Sequence, residues 1–253
     1  LQRSAHLESL GVLAGGIAHD FNNILGAIVG YAELTLDHLE EGTEPHAHVS
    51  HILRAGDRAK RLIGQILAFS RQGGSERVAT ELRATVQEAL DFLRSSIPRT
   101  IRIEQNLGSG QGFVLADPTQ VHQVVMNLVT NAHQAIGAGP GVIRVDLSRV
   151  EVDEARASLH GAQPGPYLCL SVADNGPGMP AHVRDRVFEP FFTTKPPGQG
   201  TGMGLATSHG IVASHGGFFE VKSEEGAGAC FRVYLPESEG PRETPRLEDT
   251  SQA

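Results

Sequence analysis

Leu168-Cys-Leu-Ser-Val-Ala-Asp174-Asn-Gly176-Pro-Gly178-Met179 is the stretch on which the reading of this chain turns. An apolar, strand-like run over 166–173 ends at a carboxylate and passes at once into a glycine-punctuated turn. A carboxylate at a strand end can accept a hydrogen bond from an exocyclic amine, and glycines let backbone approach a flat ring. Asp and Gly also make ordinary turns. The stretch therefore gains meaning only from its neighbours.

Upstream, Asn127-Leu-Val-Thr-Asn131-Ala sets two asparagines four residues apart, on one face of a helical pattern over 117–137. Their side-chain carbonyls are hard, neutral oxygen donors of the kind Mg²⁺ accepts beside phosphate and water. Downstream, Phe188-Glu-Pro-Phe191-Phe192-Thr-Thr-Lys195 leads into Gly200-Thr-Gly202-Met-Gly204-Leu205, which opens a helical pattern from Leu205 to Ser214. Glycines at a helix start offer free N–H groups and the positive dipole end to phosphate. No dinucleotide-type strand precedes them, so a hydride-transfer reading fits poorly.

In this order and spacing the four segments resemble the N, G1, F and G2 boxes of the GHKL ATP-binding fold. Histidine kinases, type II topoisomerases, Hsp90-type chaperones and mismatch-repair ATPases share that fold. The resemblance covers about 76–237 and implies an α/β sandwich with a mixed sheet, preceded here by an Asp117-Pro118 start to the N-box helix. It implies ATP as ligand, with Mg²⁺ held by Asn131 together with Asn127. Asp174 would bond the adenine amino group, with Gly176 and Gly178 shaping the loop. A lid over about 193–203 would carry Lys195, Gly200 and Thr201. The amides of Gly202, Met203, Gly204 and Leu205 would meet phosphate. Met203 stands where relatives usually carry Leu, and His133-Gln134 where they often place Arg or Lys.

In the hydrolysing branches of the fold, a Glu four residues before the Mg²⁺-binding Asn activates water. Here that position is Asn127, which cannot take a proton. The pocket is thus suited to another nucleophile, and Ala14-Gly-Gly-Ile-Ala-His19-Asp20-Phe-Asn-Asn23 supplies one. His19 lies two residues past Ile17, off the apolar seam, and a neutral imidazole is nucleophilic near pH 7. This segment resembles the H-box of the dimerisation and histidine-phosphotransfer domain of sensor kinases, in its His-Asp-Phe-Asn-Asn form. The resemblance implies that His19 accepts phosphate, with Asp20 taking its proton. It further implies that Asn23 supports phosphatase activity toward a response regulator, whose receiver-domain Asp takes the phosphoryl group in a phosphorelay.

Around His19, apolar residues Leu10, Leu13, Ile17, Ile24, Ile28 and Tyr31 keep helical spacing. Glu40 to Pro45 interrupts, and Ile52, Ala55, Ala59, Leu62, Ile66 and Phe69 then alternate steps of three and four. Two such helices form an antiparallel hairpin over 1–72, and two hairpins form a four-helix bundle, so a homodimer is expected. Arg71 to Glu76, with Gly73-Gly74, reads as the linker to the second domain. From Ser238 to Ala253 the Pro- and charge-rich composition reads as a disordered tail or linker.

Composition narrows the partners. A net charge of −8 over 253 residues leaves no basic surplus for a nucleic-acid backbone. Two cysteines, Cys169 and Cys230, lie in strand-like runs and read as reduced core residues. No apolar run approaches the roughly 18 residues needed to cross a bilayer. The chain opens inside a helical pattern, which reads as a piece of something longer with any sensor domain or membrane anchor upstream and a cytoplasmic core here. Three competing readings stay in play. They are a GHKL ATPase or clamp, a scaffold or phosphatase with vestigial ATP turnover, and a protein-serine kinase that would leave the His19 segment unexplained.

Overall fold

The computed structural model describes residues 24–53, 55–56, 77–94, 96–110, 112–196 and 200–240. The chain divides into two compact units, Leu1–Ser75 with Asp185–Gly210, and Glu76–Arg184 with Ile211–Ala253.

In the first unit, helix α1 (24–36) and helix α2 (44–53, continuing at 55–56) form a hairpin. The rest of the 1–72 span expected for it, with Leu10, Leu13, Ile17, Ala59, Leu62, Ile66 and Phe69, and the linker at 71–76 lie outside the described residues. Thr43 caps α2: its Oγ1 accepts from the His46 N–H and its carbonyl from the Ala47 N–H. Pro45 occupies the first turn, where its missing N–H costs nothing. Val29 and Ala32 are buried. A β-carbon on Gly56 would lie 2.4 Å from Val29 Cγ2, so the helices meet closely there. The expected seam residues behave differently: Ile24, Ile28, Tyr31 and Ile52 are 57%, 46%, 73% and 47% exposed. Within one chain, the buried contact of the hairpin is made by the residues beside that seam.

The second unit runs β1 (Val78–Glu81), α3 (Leu82–Arg94), β2 (Ile101–Asn106), β3 (Phe113–Ala116), α4 (Pro118–Ile136), β4 (Gly141–Val152), α5 (Glu154–His160), β5 (Gly165–Asp174) and α6 (Ala181–Arg184). It resumes within α7 (Gly204–Ser214) and ends with β6 (Phe218–Ser223) and β7 (Ala229–Ser238). The sheet order is β1-β3-β7-β5-β4-β2, with β6 also paired to β7. The β2–β4 pair is parallel and the others are antiparallel, so the sheet is mixed as expected.

The core is built from periodicity. Leu82, Val86, Ala89, Leu90 and Leu93 make one buried stripe of α3; Val121, Val125, Leu128, Val129 and Ala132 make that of α4. Asp117 caps α4 by accepting from the Thr119 N–H at 2.8 Å, and Pro118 fills the first turn. On one face of the sheet Leu170, Val233 and Leu235 meet Leu82, Val121 and Ile211. On the other, Tyr167, Cys169, Phe218 and Tyr234 pack under Ala157 of α5. The helical layer inferred from sequence thus has a short counterpart, α5, on the opposite face. Burial pushes the Cys169 thiol up, as suits a reduced core residue. Strand β7 continues to Ser238, paired with Phe113, so ordered pairing reaches the residue where the tail was expected to begin.

Candidate functional site

Strand β5 delivers Asp174 at its C-terminal end, and the loop that follows fixes the carboxylate. The Gly176 N–H donates to Asp174 Oδ1 at 2.9 Å. Asp174 is half-buried, and that burial pushes its carboxyl above the usual range, against the pull of the Gly176 and Ala229 N–H groups. Asn175 secures the loop to the neighbouring strand. Its Oδ1 accepts from the Val142 N–H at 2.8 Å while its own N–H donates to the Val142 carbonyl at 3.3 Å.

Helix α4 brings the asparagines to the same region of this unit. A β-carbon on Gly176 would lie 3.3 Å from the Ala135 carbonyl carbon, which places the loop against the last turn of α4. Asn131 sits one turn earlier on that helix, and Asn127 one turn before it; both are half-buried beside the apolar stripe. Gly178 closes the loop at φ +68°, where a β-carbon would come within 1.9 Å of the Glu224 carbonyl oxygen. The α/β unit therefore sets the Asp174–Gly178 loop against the last turn of α4, with Asn131 and Asn127 one and two turns back along that helix.

The remaining expected residues lie in the 185–210 segment of the other unit. Within it, the ends of the 191–202 stretch are joined by the Phe191 N–H donating to the Gly202 carbonyl at 3.0 Å. Phe191 adopts φ +67°, and Gly202 adopts φ +65°, where a β-carbon would collide with Phe191 backbone at 2.3 Å. The Arg186 guanidinium lies 4.3 Å over the Phe192 ring and pairs with Glu189 at 2.8 Å. Between these ends, Gly200 leaves room for Thr193 Oγ1 and the Lys195 stem; a β-carbon there would approach them at 2.6 and 3.0 Å. Burial lowers the Lys195 ammonium from its usual range. The Met203 N–H, one of the amides expected to meet phosphate, is directed at Thr201 Oγ1 at 3.3 Å. Gly204 starts α7, and Leu205 follows in its first turn.

His19, Asp20 and Asn23 lie outside the described residues. Among the described residues no group of three or more His, Cys, Asp or Glu is arranged to hold a metal ion. His46, His48 and His51 form no such group. A divalent ion held by Asn127 and Asn131 would need further oxygens from elsewhere, as a phosphate-bearing ligand provides. Nor is any described helix long and apolar enough to cross a membrane.

Two site features escaped the sequence. The Asn175 pairing reads only as a turn residue in one dimension. Ser223, at the end of β6, accepts from the Met179 N–H at 2.9 Å across 44 positions of sequence. The Gly226-Ala-Gly228 turn before β7 was the one local hint.

An α-helical hairpin ahead of a mixed-sheet domain with an Asp-Asn-Gly-Pro-Gly loop beside an asparagine-bearing helix is the architecture of a histidine kinase core. The chain belongs to that class: residues 9–75 match the His Kinase A (phospho-acceptor) domain, and residues 116–239 match the histidine kinase-, DNA gyrase B-, and HSP90-like ATPase family. Sensor kinase CckA of Brucella abortus is 34% identical over 236 residues, covering 93% of this chain and 25% of the relative. Sensor histidine kinase ZraS of Escherichia coli K12 is 33% identical over 237 residues, covering 93% of this chain and 47% of the relative. The crystal structure of full-length ShkA in complex with AMPPNP superposes with a TM-score of 0.72 at 25% identity, over 90% of this chain and 46% of that one. The chain spans under half the length of these relatives.

Proposed function

We propose that this core is the kinase module of a two-component sensor: it binds ATP with Mg²⁺ and transfers the γ-phosphoryl group to its own His19. The observation that carries the reading is Asp174, a half-buried carboxylate at a strand end, aimed by the Gly176 N–H and flanked by a helix bearing Asn127 and Asn131. Asp174 accepts a hydrogen bond from the adenine amino group, and Asn131 and Asn127 offer oxygens to the ion. Bound Mg²⁺ supplies neutralisation of phosphate charge. In the 185–210 segment, the resemblance assigns phosphate contacts to Lys195 and to the amides of Gly202, Gly204 and Leu205, with Gly200 and Thr201 in the same loop. The Met203 N–H would have to leave Thr201 Oγ1 to join them. Asn at position 127, where an ATPase would need a base, leaves water unactivated.

At the phospho-acceptor, the neutral imidazole of His19 attacks phosphorus in line, the bond to the ADP oxygen breaks, and Asp20 receives the ring proton. The phosphoryl group then passes to a receiver-domain Asp of a response regulator, and Asn23 positions water for the reverse, dephosphorylating task. The exposed stripe of Ile24, Ile28, Tyr31 and Ile52 supports a homodimer, because a second hairpin would cover it. A sensor domain preceding this core, with the kinase module in the cytoplasm, completes the proposal.

Incubation with γ-labelled ATP and Mg²⁺ tests it. Acid-labile label that disappears in His19→Ala is the expected result. Label that persists in that variant moves the acceptor elsewhere, and ATP binding with no label favours a scaffold or phosphatase.

A further inference from the structure

We infer that Ser223 is a positioning residue for the nucleotide-binding loop, tying Met179 to the β6–β7 turn so that Asp174 to Gly178 keep the shape that receives adenine. This rests on the nucleotide reading of Asp174.

Ser223 ends β6 and is 8% exposed. Its Oγ accepts from the Met179 N–H at 2.9 Å and donates to the Gly228 carbonyl at 2.7 Å. One hydroxyl thus joins a donor on the loop to an acceptor on the turn, a double role open to Ser and Thr and closed to Ala. The turn adds its own tie, the Gly226 N–H donating to the Pro177 carbonyl at 2.7 Å, and closes on itself through Ala227 N–H to Glu224 carbonyl at 3.1 Å.

The fit leaves no slack at either end of the loop. A β-carbon on Gly178 would meet the Glu224 and Gly228 carbonyls at 1.9 and 2.9 Å; one on Gly228 would meet the Asp174 carbonyl at 2.0 Å. The turn therefore lies against the first residue of the loop and against its last. Because Gly176 in that loop aims the Asp174 carboxylate, displacing the loop displaces the acceptor for adenine. Removing the hydroxyl takes that partner from a part-buried N–H and from a buried carbonyl.

The test compares parent, Ser223→Ala and Ser223→Thr in the full chain. Calorimetric binding of AMPPNP with Mg²⁺, apparent KM and kcat from the initial rate of autophosphorylation against ATP concentration, and thermal unfolding are measured on each. Ser223→Ala is expected to raise Kd and KM roughly fivefold with kcat nearly unchanged, from the loss of the two hydrogen bonds that join loop to turn, and Ser223→Thr to restore both. A serine that served stability alone would lower binding stoichiometry and kcat while leaving Kd and KM in place. Unchanged Kd in a folded Ser223→Ala overturns the inference and spares the nucleotide reading; a parent that binds no adenine nucleotide overturns both. Should Ser223→Ala fail to fold, amide exchange in the parent decides: the Met179 N–H is expected to be protected without nucleotide, and fast exchange there overturns the inference.

Discussion

The Gly176 N–H holds Asp174 Oδ1 at 2.9 Å, while a β-carbon on Gly176 would sit 2.8 Å from that same oxygen. The residue that aims the carboxylate is thus also the one that leaves it space. Gly176→Ala is expected to push the carboxylate aside and weaken adenine-nucleotide binding about tenfold or more, the equivalent of at least 1.4 kcal/mol. Titration with labelled ATP analogue checks this, and unchanged affinity would place the adenine acceptor elsewhere.

Asp174 gives the binding a pH signature. Burial raises its carboxyl above the ordinary range, so nucleotide affinity should fall on acidification sooner than an unperturbed Asp would allow. Stability runs the other way. A raised folded-state value means the protonated form is favoured by folding, a contribution fully present below the ordinary Asp range and lost as pH rises through the raised value. Asp174→Asn should therefore be as stable as the parent in acid and more stable near neutrality, while binding adenine poorly. Denaturant melts across pH, paired with binding titrations, measure both halves; a neutral-pH loss of stability in Asp174→Asn contradicts the account.

Ion dependence should separate the two asparagines from the rest of the site. Asn131→Ala is expected to abolish Mg²⁺-dependent ATP binding and Asn127→Ala to raise the Mg²⁺ requirement, with ion-independent adenosine binding intact in each. If adenosine binding falls in parallel, the asparagines support the fold rather than the ion.

On the far face of the sheet, Arg156 grips Glu220 through Nε and Nη2 at 2.9 and 2.8 Å and lies 4.4 Å over the Tyr234 ring. Burial raises the Glu220 carboxyl, but Arg156 and Tyr234 outweigh it and hold the group below its ordinary range. Arg156→Ala should cost about 1–3 kcal/mol of stability near neutral pH by leaving Glu220 without its main partner. The contribution of the depressed carboxyl exists above the ordinary Glu range and is lost as pH falls through its lowered value. The gap between parent and variant should accordingly narrow in acid, which melts at descending pH would register.

The hairpin carries its own test. Tyr31 is 73% exposed on the stripe with Ile24 and Ile28. Tyr31→Asp is expected to convert a dimer to a monomer in light scattering without loss of helix, whereas Gly56→Val should disturb the hairpin itself, because its side chain would strike Val29. A parent that is monomeric at micromolar concentration would remove the dimer proposal.

The sequence made the long elements legible and the short ones obscure, for physical reasons. Residues 117–137 show a 3.6-period stripe with a capped, proline-marked start, and the helix is found at Pro118–Ile136. Strands β4, β5 and β7 are long enough for their patterning to register. Strands β1 and β3 have four residues each, and their pairing comes from a register that no local pattern encodes. Helix α5 carried readable caps, Asp153 and Gly161, yet only seven residues to show a period. In the candidate site, the residue types announced themselves because nucleotide chemistry needs them at short spacing. The Ser223 tie did not, because its partners are brought near by the sheet.

Strand β7 lies inside the sheet, between β5 and, on its other edge, β6 along 229–234 and β3 at 237–238. The last strand of the domain is thus the one that three earlier strands await. During synthesis, β5 has only β4 to pair with, and β1 with β3 stay apart from them, until Ser238 has emerged. Assembly of this domain is consequently a late, nearly all-or-none event, dominated by contacts distant in sequence and exposed meanwhile to misassociation with other nascent chains.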